Sequence, residues 1–211
     1  MLLDWEKAFD KVKHDKLFEA LERMSIPDKT LKAIKQLYKN PTFRIEMEGR
    51  TSEWTKQNSG IRQGCPLSPY LFVLLMSIMF NDIKEVTKNQ LEKGVLEHFD
   101  STEIMYADDT LLIGQNIEVL SIYVQEIEKE SNKYNMSLNK EKCNAIYMSI
   151  VGDIHFSDGS IMKEVKTAQY LGAKITQKAY AYSEINHRIG IAIRTARILN
   201  NFWKGTNIPI K

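Results

Sequence analysis

Two adjacent acids, Asp108 and Asp109, stand in the stretch Tyr-Ala-Asp-Asp, with Ile104-Met105-Tyr106 before them and Leu111-Leu112-Ile113 after. Carboxylates side by side repel unless a cation lies between them. Hard divalent cations such as Mg²⁺ take oxygen ligands and keep part of their hydration for a substrate phosphate. A plainer role fits the same pair, because Asp bonds its own backbone and is common in turns. A third carboxylate and a place for a nucleotide would separate the two readings. Asp4 is the candidate third acid: it follows Leu2-Leu3, where a strand end holds the backbone while the side chain projects. Alone, Asp4 reads equally well as a surface or turn acid. Asp10 reads as a cap or turn residue ahead of the first helix and is not assigned to the site.

Two further stretches carry polar chemistry. In Ser-Gly-Ile-Arg-Gln-Gly-Cys-Pro-Leu-Ser-Pro, Gly60 and Gly64 allow a ligand to approach the backbone, and Arg62 and Gln63 offer hydrogen bonds. A helix opening at Ser68-Pro69 adds free amides in the same place. A simple loop leading into a capped helix has the same spacing. In Ser-Leu-Asn-Lys-Glu-Lys-Cys, Lys140 or Lys142 could meet a triphosphate as a mobile cation or proton donor. Surface lysines look the same.

The elements that must position these residues are short. The runs flanking the acids read as two buried strands joined by a tight hairpin with Asp108 and Asp109 at its turn. Asp15 is expected to cap a helix over Lys16–Met24, and Asp28 a second one. Phe43, Ile45 and Met47 alternate and read as one arm of a hairpin. A long apolar helix runs from Ser68 to about Val86, and Asn116 caps another to about Tyr134. Strands are expected at Asn144–Met148, Ile154–Phe156 and Gln169–Ile175, and a last helix from about Ser183 to Trp203. This pattern is α+β: a mainly antiparallel sheet with helices packed on one face, plus a C-terminal helix.

The 211 residues, 43% of them hydrophobic, can bury a sizeable core. No apolar run is long enough to span a bilayer, and the N-terminus is no signal peptide. Cys65 and Cys143 are too isolated for a disulfide framework or a zinc site, which points to an intracellular, reducing compartment without separating nucleus from cytoplasm. Net charge is only +2, but its distribution is uneven. From Lys163 to Lys211 nine Lys or Arg face Glu164 and Glu184, a net +7, leaving the rest at −5. An acidic body with a basic tail suits an enzyme that holds cations in one place and a phosphate backbone in another. An ordinary solvated helix accounts for the tail equally well.

Taken in order, "LLDWEKAFDKV", "GIRQGCPLSPYLF", "YADD", "LNKEKC" and "YLGAKI" resemble the palm of a reverse transcriptase, most closely those of non-LTR (LINE-like) retrotransposons. The likeness spans Leu2 to Ile175. It implies a polymerase palm over residues 1–176 and the start of a thumb-like helical region over 177–211. It implies an RNA-directed DNA polymerase that transfers deoxynucleotides to a primer 3′-hydroxyl, with an RNA template, a DNA primer and dNTPs as partners. Two Mg²⁺ ions, with Mn²⁺ as a substitute, would be held by Asp4, the backbone carbonyl of Trp5, Asp108 and Asp109. Phe9 matches the steric gate beneath the sugar, Gln63 and Gly64 the nucleotide pocket, and Lys142, rather than Lys140, the family's lysine. Arg62 and Tyr170-Leu171-Gly172 would contact template and primer. Intron- or retron-type reverse transcriptases and an inactive palm acting only as a nucleic-acid-binding module are the rival readings. The family's fingers precede the first acidic motif, and this sequence begins three residues before Asp4. The expectation is therefore a palm without fingers. Taken alone, it should bind an RNA/DNA hybrid weakly and salt-dependently and incorporate negligible nucleotide.

Overall fold

The computed structural model describes residues 1–90, 102–148, 150–178 and 181–205. Residues 206–211 of the expected thumb-like region, with Lys211 of the basic stretch, lie outside the described residues. In chain order the elements are β1 (Leu2–Leu3), α1 (Ala8–Lys11), α2 (His14–Arg23), α3 (Asp28–Leu37), β2 (Thr42–Phe43), β3 (Glu46–Met47), β4 (Arg50–Thr51) and β5 (Thr55–Lys56). Then come α4 (Ser68–Gln90), β6 (Thr102–Tyr106), β7 (Asp109–Ile113), α5 (Ile117–Lys133), β8 (Asn144–Ala145), β9 (Lys163–Glu164), β10 (Thr167–Tyr170), β11 (Ala173–Thr176) and α6 (Ala181–Gly205).

The main sheet has the order β6-β7-β1-β8-β9 and is antiparallel except for the β8–β9 pair. β1 lies between the hairpin strand β7 and β8, with Leu2 opposite Leu111 and Asn144, and Leu3 opposite Thr110. Its core is shared with three helices. Leu17 and Leu21 of α2, Phe72, Leu75, Met79 and Phe80 of α4, and Tyr123, Val124 and Ile127 of α5 are buried with Leu3, Trp5, Leu112 and Ala145. Trp5 meets Phe80 edge to face at 6.4 Å. Each large apolar side chain removed from water contributes about 1.5–3 kcal/mol. A sheet only a few residues wide is therefore held mainly by the helices beneath it. Arg23, Asp82 and Tyr134 tie α2, α4 and α5 together at their polar margin. Among the described residues no helix is long and apolar enough to cross a membrane.

Several local expectations need correction. Asp15 and Asp28 do not cap. Lys13 and Pro27 hold those positions, and the two acids sit in the first helical turns, where their charge meets the positive end of the helix dipole. Ser68 opens α4, but its hydroxyl donates to the Arg62 carbonyl. Asn116 does cap α5, accepting from the amides of Glu118 and Val119. The strand expected at Asn144–Met148 is only two residues long, and Ile154–Phe156 is reduced to a bridge between His155 and Ile161. Gln169–Ile175 is not one strand: Leu171-Gly172 folds it into the hairpin β10–β11. The runs flanking the paired acids are not wholly buried either. Thr110 and Leu112 are buried, whereas Ile104, Met105 and Ile113 are exposed, because one face of this hairpin is open.

Candidate active site

Strand register assembles the acids. Tyr106 pairs directly with Asp109, so the β6–β7 connection is the two-residue turn Ala107-Asp108. Ala107 has φ 54°, the left-handed backbone that such turns require at their first position and that a residue with a Cβ adopts at some cost. Asp108 therefore stands at the tip and Asp109 opens β7. Because Leu2 faces Leu111 and Leu3 faces Thr110, one further step sets Asp4 abreast of Asp109. The Trp5 indole donates to Thr110 Oγ1 at 3.1 Å, in the core, and pins the two strand ends together immediately beside those acids. The Asp4 carbonyl accepts from the Asn139 amide, and the Asp4 amide donates to Cys143 Sγ, so the backbone at Asp4 is held on the other side as well.

The electrostatics agree with the register. Burial, then the charge of Asp108, then that of Asp4, push the Asp109 carboxyl above its ordinary value. The three acids thus share one field. They are not drawn into a ready cage: among the described residues no three His, Cys, Asp or Glu side chains are gathered as ligands for one ion. In donor type, three hard oxygens that already feel one another fit a hard divalent cation. Lys142 supplies positive charge here, its Nζ lying 3.8 Å from Asp4 Oδ2. Lys140 is engaged elsewhere, with Glu128 at 2.9 Å and Asp158 at 2.7 Å. Of the two lysines in the sequence motif, only Lys142 faces the acids.

A cleft of about 580 Å³ opens beside the hairpin tip and is lined by Phe9, Gln63, Gly64, Cys65, Pro66 and Asp108. Phe9 stacks on Phe72 with ring centres 4.3 Å apart, which fixes its ring in the wall. Gly64 has φ +83° and nothing near its absent Cβ, so it leaves open space at this point. Arg62 is not part of the lining; its guanidinium sits over the Tyr38 ring at 5.8 Å. Leu171 and Gly172 form the turn of β10–β11, with φ 49° and 78°. Next to them, the Tyr170 hydroxyl donates to the Ile104 carbonyl at 3.0 Å, docking that hairpin on β6, the outer strand of the hairpin that carries Asp108 and Asp109. Burial, and secondarily the Asp109 charge, raise the Tyr170 phenol.

Two members of the cleft region went unassigned in the sequence. Cys65 lines it, and the Leu67 amide foremost lowers its thiol below the usual range. Its signal was present, since a thiol just ahead of a helix start meets free amides. Asp10 accepts a hydrogen bond from Gln63 Nε2 at 3.1 Å, a pairing that sequence spacing does not announce.

A helix-backed antiparallel sheet with acids at a hairpin tip and at the adjoining strand end is the arrangement of a polymerase palm. The pattern of the reverse transcriptase (RNA-dependent DNA polymerase) family matches residues 1–175, and the chain belongs to that family. Its relatives place it with non-LTR elements. It is 30% identical over 146 residues to the Pol polyprotein of the type-1 retrotransposable element R2 of Nasonia vitripennis, covering 69% of this chain and 14% of that protein. It is 25% identical over 187 residues to the RNA-directed DNA polymerase of the mobile element jockey of Drosophila melanogaster, covering 83% and 19%. The chain thus spans under a fifth of each of these two proteins. Its fold is similar to that of a telomerase from Candida tropicalis, with a TM-score of 0.57 at 18% identity, over 83% of this chain and 33% of that one. A telomerase from Candida albicans gives 0.52 at 14% identity, covering 83% and 28%.

Proposed function

We propose that this chain carries the nucleotidyl-transfer centre of an RNA-directed DNA polymerase, with residues 1–176 as palm and 177–211 as the start of a thumb. The observation that carries the reading is the cleft, which joins three distant segments, Phe9, Gln63-Gly64 and Asp108, beside the acids. Asp4, Asp108, Asp109 and the Trp5 carbonyl would hold divalent cations, Mg²⁺ in the first instance and Mn²⁺ as a substitute. The bound metal would supply Lewis acidity toward a phosphoryl oxygen and lower the pKa of the primer hydroxyl. The chain's own groups act by positioning and by charge. The two strand ends, pinned by Trp5 and Thr110, keep the acids in register. Phe9, immobilised on Phe72, bounds the space for the sugar and so favours a deoxyribose. Gly64 lets a base pair approach the backbone. Lys142, released from Asp4 when that acid is neutralised, would face the triphosphate. Tyr170-Leu171-Gly172 and Arg62 would flank primer and template. The basic residues from Lys163 onward would meet a phosphate backbone, with affinity falling steeply as salt rises.

Extension of a DNA primer on an RNA template by the full-length protein tests the reading. Mg²⁺-dependent incorporation that disappears in Asp108→Asn, with template binding retained, is the expected result. Equal incorporation by wild type and Asp108→Asn would refute it, and template binding with no incorporation by wild type would favour the inactive-palm alternative.

A further inference from the structure

The loop that carries Gln63 is stitched to the short helix that carries Phe9. The Ile61 amide donates to the Phe9 carbonyl at 2.7 Å and the Gly60 amide to the Val12 carbonyl at 2.8 Å. Ser59 Oγ donates to the Asp10 carbonyl at 3.1 Å. Gly60 permits this approach: its φ is +92°, and a Cβ there would lie 2.9 Å from the Asp10 carbonyl oxygen and 3.2 Å from that of Phe9. The Gly60 carbonyl is bonded in turn by the His14 ring at 2.9 Å. Two walls of the cleft, Phe9 and Gln63, therefore belong to one body although 54 positions separate them in the chain.

One link in this body is made between side chains. Gln63 Nε2 donates to Asp10 Oδ1 at 3.1 Å. An ionised carboxylate only accepts, so the amide nitrogen must be the end that faces Asp10, and the amide oxygen is turned away from it. A free glutamine would sample both orientations and several rotamers. We propose that Asp10 is a positioning residue for nucleotide binding: it holds the Gln63 amide in one orientation, nitrogen toward α1. Gln63 then presents an acceptor oxygen to a hydrogen-bond donor on the incoming nucleotide. This rests on the reading of the cleft as the nucleotide site. Asp10 itself is exposed and does not line the cleft, so it acts only through Gln63.

Steady-state kinetics for dNTP with the full-length protein decides the matter, using Gln63→Ala, Asp10→Ala, Asp10→Asn and the Asp10→Ala/Gln63→Ala pair. Asp10→Ala should raise KM for dNTP about 3–10-fold with kcat nearly unchanged, as expected for a lost ground-state contact. Asp10→Asn offers a donor as well as an acceptor, so the Gln63 amide can turn over, and KM should rise here too, though by less than in Asp10→Ala. The double variant should match Gln63→Ala, because Asp10 has nothing left to position. A folding defect would reduce the active fraction and so kcat, leaving KM in place; KM is therefore the quantity to read. A wild-type KM in Asp10→Ala or in Asp10→Asn, or additive effects in the double variant, would each overturn the proposal while leaving the cleft assignment standing. A wild-type KM in Gln63→Ala would instead overturn the cleft assignment, and the role of Asp10 with it.

Discussion

Two hairpins of this chain are built alike and set to different uses. β6–β7 and β10–β11 each turn through two residues, and the first turn residue is left-handed in both, Ala107 at φ 54° and Leu171 at φ 49°. β6–β7 has β1 along its inner strand and belongs to the five-stranded sheet, with Thr110 and Leu112 in the core. Among the described residues β10–β11 pairs only with itself, and its strands are at best half-buried. It is attached through the Tyr170 hydroxyl on Ile104 and through Glu184 of α6, which accepts from the Lys174 amide at 2.6 Å. A two-residue hairpin becomes a fixed platform where a third strand and a buried tryptophan support it. Without them it is a surface element, located by these polar contacts and by Ile175, which lines an apolar cavity with Leu2, Leu111 and Ile113. Charge follows the division: the supported hairpin carries the acids, and bases dominate from Lys163 onward.

The comparison can be broken most severely at the platform's tip. Asp4→Asn or Asp108→Asn should cut incorporation by about 10²–10³-fold or more, since each removes charge where it must meet a cation. Circular dichroism and thermal melting should show the fold intact. A smaller effect is expected at the cleft wall. Phe9→Val should raise the rNTP/dNTP ratio of kcat/KM by about 10–200-fold, the range for one changed apolar contact. An unchanged ratio would remove Phe9 from the sugar site. Next is the pin under the platform. Thr110→Val leaves the buried Trp5 indole without its acceptor, which should cost about 1–3 kcal/mol and lower Tm by about 2–4 °C per kcal/mol. Tyr170→Phe loses one bond on the outer hairpin and should cost less than about 1 kcal/mol. If the two variants melted alike, the distinction between platform and surface element would fail.

The smallest effect concerns Asp109. Its carboxyl is raised in the folded protein, so folding favours the protonated form. The stabilisation is full below the unfolded carboxylate range, near pH 3.9, and is lost as pH rises through the folded value. In metal-free protein at neutral pH, Asp109→Asn should therefore raise Tm, by about 1–3 °C given the exposure of the group. The gain should vanish as the pH falls below about 4. A gain that persisted in acid would show that charge is not its cause.

Much of the platform was legible because its signals are local. Short apolar runs on either side of Tyr-Ala-Asp-Asp pointed to two strands and a hairpin, and Asn116 to a helix start. The degree of burial was not legible, since it depends on which face the helices cover. The outer hairpin was missed because Leu171 occupies a left-handed turn position where sequence rules look for Gly or Asn. Lys140 and Lys142 differ through Glu128 and Asp158, partners distant in sequence, and the choice of Lys142 came from the motif rather than from any local property. The Asp10–Gln63 bond spans 53 positions between two polar residues with no apolar pattern to connect them.

The account turns on Asp4, Asp108 and Asp109 forming one cation site. Titration of the metal-free protein with Mn²⁺, followed by electron paramagnetic resonance, counts bound ions directly and does not depend on catalysis. Saturable binding that Mg²⁺ displaces, lost in Asp4→Asn and Asp108→Asn and retained in Lys140→Ala, is the predicted result. Binding that both aspartate variants leave unchanged would contradict it.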